Sequence, residues 1–326
     1  METQKRKPWR RWVLLTLMII GFIAGGFLVP VQPEITVKAE NLLGEGVAWF
    51  KLPFLGDFYL VNTLPTLALT LILILVIVYF TNRSLKRSER SDLIPSGIGN
   101  LMEAFFELLY NMTEGATGSK TVKVVFPWFA TIMFYVLFAN LLKLIPGFES
   151  VGVLHQAAEG HAVQSLGAFA NILPGKVENG FVLVPFFRGI SVDLNFTLAL
   201  ALISVVMTQV VGIRARGLSY FDKFFNVRNM FKVPFFGAMD FLVGLLEVIS
   251  ELSKIISFAF RLFGNMFAGV VLVAIIASLL GRFVILPSML MLFEVFIGII
   301  QAFVFGMLTM VFMAQAVQGH GHEEEH

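Results

Sequence analysis

Long apolar runs constrain this chain more than any other feature, because each is long enough to cross a lipid bilayer. About 20 apolar residues span the roughly 30 Å of hydrocarbon as a helix, and only helices or closed barrels satisfy their backbone polar groups in lipid. These runs predict an all-α polytopic membrane protein. They comprise an N-terminal apolar helix at about 13–30 and five transmembrane helices at about 59–81, 124–146, 192–213, 236–281 and 284–317.

The composition supports this class and excludes several others. Hydrophobic residues make up 57% of the 326 residues and charged residues 14%, whereas soluble domains contain about 25% charged residues. The chain has no cysteine, which excludes a disulfide framework, a thiolate metal site and thiol catalysis. The tail GHGHEEEH is either a metal-binding tract or a solvated end. We expect the solvated end, and no cofactor, metal or nucleic-acid partner.

The N-terminus begins with five Lys and Arg residues ahead of the apolar run at 13–30. This arrangement fits either a retained signal anchor or a cleaved signal peptide. A small-residue motif of the cleavable type, Val37-Lys38-Ala39, stands well after the run, and we expect the helix to be retained. We therefore separate residues 1–39 from a single membrane domain over 40–326.

Lys and Arg residues are unevenly distributed among the connecting segments. Residues 82–93 contain four and residues 214–232 contain five, whereas 33–58 and 147–190 contain two each. Because positive charge accumulates in cytoplasmic loops, we expect the N-terminus and the two basic segments in the cytoplasm and the long loop 147–190 outside. The C-terminal tail of this multi-pass protein is then cytoplasmic, if the run 236–281 crosses the membrane once.

Two segments depart from a simple spanning helix. Apolar residues at helical spacing among three glutamates over 97–118 predict an amphipathic helix at the membrane interface. The run 236–281 has 46 residues, and a helix of that length, about 69 Å, exceeds any bilayer. This run must bend, tilt strongly or divide into two helices.

Polar side chains on the long run and on the last helix recur at intervals of seven residues. Seven residues make nearly two helical turns, so each set lies along one face, and we expect the two faces to meet or to share a water-filled cavity. The stripe on the long run comprises Glu247, Lys254, Arg261 and, one turn further, Asn265. The stripe on the last helix comprises Glu294 and Gln301.

Arg261 is the only charged residue of the apolar stretch 257–280. Arginine stays protonated in proteins, and a charge near the bilayer centre costs between about 2.5 and 17 kcal/mol, depending on how the cost is measured. A fixed cation repels protons and stabilises an ionised carboxylate that approaches it, whereas carboxylates in a polar cavity take up and release protons. A static pair of Arg261 with Glu294 is the structural alternative.

The other polar residues also have structural interpretations. Lys254 and Glu251, three residues apart on the long run, can form an internal ion pair near the interface. Asn265 and Gln301 can join two helices through side-chain hydrogen bonds, as amides do in membrane proteins. Both interpretations stay open beside a proton pathway.

Four segments together resemble subunit a of F-type ATP synthases. The block RLFGNMFAG at 261–269 follows ELSKIISFAF, and IIQAFVFGMLTMVF at 299–312 resembles the family's last helix. NLLKLIPGF at 140–148 and SVDLNFTLALAL at 191–202 resemble the end of its second span and the start of its third. Order and spacing agree from about residue 57 to the end of the chain.

The resemblance implies a proton-conducting stator subunit of the membrane sector Fo, also written CF(0), against which a ring of c subunits rotates. Two offset half-channels would couple proton flow to ATP synthesis, and a long pair of tilted or horizontal helices would form the C-terminal half. Its partners would be the c-ring, the peripheral-stalk b subunits, the rest of the synthase and membrane lipids. The chain has no nucleotide-binding loop, so ATP catalysis would belong to other subunits.

The resemblance also implies residue roles. Arg261 matches the essential arginine that faces the ring carboxylate, and Glu247 matches an acidic residue of the cytoplasmic half-channel. Polar residues along the ion path are matched by Asn265 and Gln301. The supporting polar stripe consists of Lys254 and Glu251.

Three features depart from the family pattern, and one of them is the N-terminal extension with its extra apolar run. Many bacterial relatives have an acidic residue directly after the RLFGNxxAG block and a histidine seven residues before the glutamine, where this chain has Val270 and Glu294. The carboxylate has moved to the other helix, and we assign Glu294 to the external half-channel. Lys143 stands where relatives more often have a neutral or acidic residue, and snorkelling to the interface is the only role we expect for it.

Two other classes stay open at this point. A self-contained secondary transporter or channel would usually show paired internal repeats, and none is visible in this sequence. A non-conducting membrane scaffold would use the polar stripes only as assembly contacts. The sequence does not fix the coupling ion, for which H⁺ is the default over Na⁺, or the size of the ring.

Overall fold

The computed structural model describes residues 36, 38–44, 46–53, 56–89, 98–145, 148–166, 169–224, 234–280 and 285–318. The predicted N-terminal helix, the choice between an anchor and a signal peptide, and the tail GHGHEEEH all lie outside these residues. The basic segments 82–93 and 214–232 are described in part.

Six α-helices account for most of the described chain. They are α1 (Thr63–Glu89), α2 (Ile98–Thr117), α3 (Val122–Leu142), α4 (Leu194–Arg216), α5 (Pro234–Leu280) and α6 (Ile285–Gln318). All of these except α2 contain a stretch that is long and apolar enough to cross a membrane. The predicted all-α polytopic membrane protein is therefore confirmed, and α2 is the helix that the glutamate-containing segment predicted.

Helix α5 is one continuous element of 47 residues, about 70 Å long at 1.5 Å per residue. Division of this run into two helices is therefore wrong. Helices α5 and α6 pack against each other through Phe258, whose ring centroid lies 5.0 Å from that of Phe305 and 5.5 Å from that of Phe312. This contact confirms the long helix pair in the C-terminal half, while its tilt in a membrane stays a prediction.

The segment expected as a loop over 147–190 contains an antiparallel sheet, so that expectation is wrong. Strands β3 (Gly152–Leu166), β4 (Phe169–Glu178) and β5 (Phe181–Pro185) have the order β4-β3-β5, after a short β1–β2 hairpin (Phe50–Leu52, Gly56–Phe58) before α1. Strand β5 pairs mainly with the first part of β3, and β4 pairs with its second part. The glycines, alanines and polar residues of β3 have weak strand preference, and cross-strand pairing decides their conformation instead.

The core that positions the polar residues lies where α3, α4, α5 and α6 meet. Close approach of α6 to α3 depends on Gly306, because a Cβ there would lie only 2.8 Å from Cβ of Met133. Ser204 and Thr309 form a buried 2.7 Å hydrogen bond between α4 and α6. The main buried residues are Ile132, Val136, Ala201, Phe258, Leu262, Met266, Ala302 and Phe305.

Candidate functional site

Arg261 lies near the middle of α5, on its exposed face. Its only polar contact among the described residues is a long hydrogen bond, 3.5 Å, from Nη2 to Oγ of Ser257. No described carboxylate lies within ion-pair distance of the guanidinium, so the static pair with Glu294 is not found. Ile256 and Phe260, which precede Arg261 on α5, are apolar and more than half exposed. Helix α5 therefore presents a permanent cation on an apolar outer face.

Asn265, one turn beyond Arg261, connects α5 to α6. Its Nδ2 donates a 2.7 Å hydrogen bond to Oε1 of Gln301, so the two polar stripes do meet at this level. The Gln301 side chain is buried, and its Nε2 has no partner among the described residues. A buried amide donor without a protein partner is unusual. Gln301 joins the helices as the structural interpretation predicts, yet it also keeps one donor unused.

A lysine from outside α5 binds both glutamates of the first half of that helix. Lys223 belongs to a 3₁₀ helix, Gly217–Lys223, and its Nζ lies 3.1 Å from Glu247 and 2.9 Å from Glu251. Lys254 contributes the expected i,i+3 ion pair with Glu251 at 3.0 Å. We call Lys223, Glu247, Glu251 and Lys254 the Lys223 cluster.

Helix α4 and Tyr220 hold the Lys223 cluster in place. Burial acts to lower the pKa of Lys223, but its hydrogen bonds to Glu251 and Glu247 outweigh that effect and raise the pKa above its ordinary value. Burial raises the pKa of Tyr220, and its hydroxyl donates a 2.7 Å hydrogen bond to Gln209. Gln209 in turn donates to Glu251 at 2.9 Å. Every described carboxylate of the cluster thus has a fixed donor.

A second group of polar residues joins the end of α3 to α6, and we call Asn140, Lys143, Ser191 and Glu294 the Lys143 cluster. Nζ of Lys143 lies 3.3 Å from Oε1 of Glu294, and the two side chains are 3% and 10% exposed. Asn140 donates to the backbone oxygen of Gly298 at 3.2 Å and accepts from Ser191 at 2.6 Å. The expected snorkelling of Lys143 is wrong, because Glu294 supplies the buried partner that its ammonium group needs.

Glu294 also reaches across to α5. A Cβ added to Gly269 would overlap Oε1 of Glu294 and lie 3.2 Å from its Cδ, so the carboxylate rests on bare backbone. Val270, the residue that the sequence comparison singled out with Glu294, follows directly on α5. The Glu294 carboxylate, carried by α6, therefore lies beside the α5 position at which many bacterial relatives have an acidic residue.

Along the α5–α6 pair the Lys223 cluster comes first, Arg261 and Asn265 come next, and the Lys143 cluster comes last. Along α5 the Lys223 cluster precedes Arg261 and Asn265, and Gly269 comes last. Along α6 the corresponding contacts occur at Phe312, whose ring carries Lys254 Nζ at 4.7 Å, then at Gln301 and Glu294. Carboxylates at the two ends can exchange protons, and the cation between them opposes direct passage. The described residues contain no group of three or more His, Asp or Glu that could hold a metal ion.

Some of these residues were predictable from the sequence and others were not. The spacing of polar residues indicated Glu247, Glu251, Lys254, Asn265 and Gln301, and the structure gives each a polar contact. The missed residues came from elements far away along the chain. They are Asn140, Ser191, Gln209, Tyr220 and Lys223, and Lys143 was noted without a partner.

A family profile described as ATP synthase A chain matches residues 65–314, most of the chain. The chain belongs to the ATP synthase A chain family. ATP synthase subunit a of Campylobacter concisus is 31% identical over 252 residues, 77% of this chain and 88% of that relative. Subunit a of Nitratiruptor sp. is 30% identical over 234 residues, covering 72% and 82% of the two chains. Subunit a of Mycobacterium bovis is 27% identical over 274 residues, covering 84% and 92%. The family resemblance of the sequence is thereby confirmed.

Proposed function

We propose that this chain is the proton-conducting stator subunit of the membrane sector Fo of an F-type ATP synthase. Its relatives bear the name ATP synthase subunit a, and five of its helices suit a membrane. In this role the chain is not an enzyme by itself. It couples proton flow to ATP synthesis on other subunits, in the cell inner membrane, with its C-terminal tail in the cytoplasm.

The observation that carries the proposal is the exposed Arg261, which lacks a carboxylate among the described residues. A cation at this depth needs a negative partner, and a carboxylate on a rotating c-ring would supply one without remaining bound. Moving one charge through 100 mV is worth about 2.3 kcal/mol, which a leak between the two access routes would dissipate. A guanidinium prevents that leak because it cannot be neutralised.

The polar groups on either side of Arg261 would form the two offset half-channels. Glu247 would serve the cytoplasmic route and Glu294 the external route, since their clusters lie toward opposite ends of the α5–α6 pair. Asn265 and Gln301 would line the path between them. The supporting stripe would be Lys254 and Glu251. Besides the c-ring, the partners would be the peripheral-stalk b subunits, the rest of the synthase and membrane lipids.

Replacement of Arg261 in the complete synthase tests the proposal. We expect Arg261→Ala and Arg261→Lys to reduce proton-driven ATP synthesis and ATP-driven acidification of inverted vesicles to background, because lysine lacks the fixed fork and can lose its proton. Arg214→Ala, an exposed arginine at the end of α4, serves as the matched control and keeps both activities. Coupled synthesis at the wild-type rate in either Arg261 variant refutes the assignment.

Reconstitution distinguishes this function from the two other classes. The stator should copurify with c and b subunits and should conduct no protons when inserted alone into vesicles. Conduction by the chain alone would favour a self-contained channel instead. Absence of conduction in the complete membrane sector would favour a scaffold.

A further inference from the structure

Lys143 has no part in the function proposed above, although it forms the most deeply buried of the described ion pairs. Its side chain is 3% exposed and that of Glu294 10%, compared with 11–27% for the residues of the Lys223 cluster. Packing alone does not require such a pair, since apolar residues of similar volume are usually at least as stable. The charge at residue 143 therefore needs an explanation beyond architecture.

The side chain of Lys143 is held along its length. A Cβ added to Gly189 would lie 3.0 Å from Cδ of Lys143 and 3.3 Å from its Cβ, so the backbone before the 3₁₀ turn Ile190–Val192 packs on the lysine stem. The N–H of Gly189 donates in turn to Glu149 at 3.2 Å. These contacts direct the ammonium group toward α6 rather than toward the interface.

The carboxylate of Glu294 is confined from two sides. Its Oε1 lies between Nζ of Lys143, 3.3 Å away, and the backbone of Gly269 on α5. Its Oε2 has no hydrogen bond to any other described residue, which leaves this oxygen as the site for a proton. Gln301, two turns further along α6, begins the polar connection to Asn265 and Arg261.

We propose that Lys143 is a positioning residue of the external half-channel, whose ammonium group holds the Glu294 carboxylate against Gly269. Lys143 engages Oε1, so the proton is carried on Oε2. Without this contact the carboxylate is no longer held beside α5. Protons must pass from that position toward Gln301. This inference rests on the proposed role of Glu294 as a proton relay.

The test uses the complete synthase in inverted vesicles, with passive proton conductance measured after removal of the catalytic sector and divided by the amount of assembled complex. The variants are Lys143→Met, Lys143→Arg, Glu294→Gln and the charge swap Lys143→Glu with Glu294→Lys. The swap keeps an ion pair but moves the carboxylate from α6 to residue 143, directly after α3. Lys123→Met, an exposed lysine near the start of α3, is the matched control.

We expect Lys143→Met and the charge swap each to lower conductance per complex at least about tenfold, because small displacements of reacting groups cost up to about 100-fold. Lys143→Arg should keep most of the wild-type conductance per complex, and Lys123→Met should match the wild type. Wild-type conductance in Lys143→Met or in the swap overturns the proposal and makes the pair architectural. Failure of both to assemble does the same.

Glu294→Gln separates this proposal from the function on which it rests. If Glu294→Gln conducts normally, Glu294 is not a relay, and the roles of both residues fail together. If Glu294→Gln loses conductance while Lys143→Met keeps it, only the role of Lys143 fails.

Discussion

Three cations of the described residues differ in the partners that they bind. Lys143 and Lys223 each bind a carboxylate carried by another helix, whereas Arg261 is exposed and has no such partner among the described residues. Lysine is a compact charge that suits a fixed partner, and arginine is a planar, permanently charged group with five donors. The chemistry of each cation therefore fits the permanent partners of the two lysines and the transient partner that we propose for Arg261.

At the scale of the single residue, the ion pairs of Lys223 should make its contribution to thermal stability depend on pH. Burial acts to lower the pKa of Lys223, but the pKa is raised because its ammonium group donates hydrogen bonds to Glu251 and Glu247. A raised pKa contributes stability that is fully present below the unfolded value of about 10.4 and is lost only as pH rises through the folded value. We expect the difference in thermal midpoint between the wild-type complex and Lys223→Met to stay constant from about pH 7 to 9.5 and to shrink above roughly 10.5.

Dissociation of this subunit from the detergent-purified complex on heating, followed by native electrophoresis at each pH, measures that difference. Lys123→Met, with its exposed side chain, should show no difference at any pH. Burial without ion pairing would lower the pKa of a lysine by several units. A difference that already shrinks near pH 8 would therefore contradict the ion-pair account.

Local spacing predicted the residues whose partners lie on the same helix or at a matching depth. The i,i+3 pair of Glu251 and Lys254 is present, and so is contact between the two polar stripes at Asn265 and Gln301. The partner of Lys143 was not predictable, because Glu294 lies 151 residues further along the chain. Periodicity reports the face of a helix, but only packing of distant elements decides what that face meets.

At the scale of the element, the 3₁₀ helix Gly217–Lys223 depends on a glycine of α4. Tyr220 is 1% exposed, and a Cβ added to Gly212 would overlap its ring, with Cζ at 2.7 Å and Cδ2 at 2.9 Å. The ring thus packs directly on the backbone of α4, and Lys223 follows within the same turn of chain. Placement of Lys223 against α5 is therefore set by the absence of a side chain at residue 212.

We expect Gly212→Ala to destabilise the chain by about 1–3 kcal/mol, the usual range for overpacking, and to lower the thermal midpoint of the purified complex. Addition of Tyr220→Leu removes the ring that the new methyl group meets and should restore part of the loss. Gly115→Ala on α2, where nothing lies within 4 Å, is the control and should be neutral or stabilising, since alanine is favoured over glycine in helices. An unchanged midpoint in Gly212→Ala would show that Tyr220 is not seated as described.

The helices were predictable as elements, whereas the sheet was not. Apolar runs of about 20 residues have one stable form in lipid, so α1, α3, α4, α5 and α6 follow directly from the sequence. Strands β3 and β4 contain glycine, lysine and glutamate, and their conformation comes from pairing with each other across the sheet. Such cross-strand contacts have no regular signal along a single strand.

At the scale of the whole molecule, contacts between helix ends agree with one alternating path through the membrane. Thr63, at the start of α1, donates to Asp193, which caps the start of α4. Lys143, after the end of α3, reaches Glu294 in the first part of α6. These ends all fall on the side that the distribution of Lys and Arg residues predicts to be external. The Lys223 cluster joins the end of α4 to the first half of α5, on the other side.

Because the chain has no cysteine, a single introduced thiol reports the side on which it lies. We expect a membrane-impermeant maleimide to label Gln156→Cys, exposed on β3, in spheroplasts, and Lys86→Cys, exposed near the end of α1, only in inverted vesicles. Both should react in detergent, which controls for burial. The opposite pattern would place the Lys143 cluster on the cytoplasmic side and exchange the proposed routes of Glu247 and Glu294. Arg261 would keep its place between them in either orientation, because the order of the three groups along α5 and α6 does not depend on which end faces the cytoplasm.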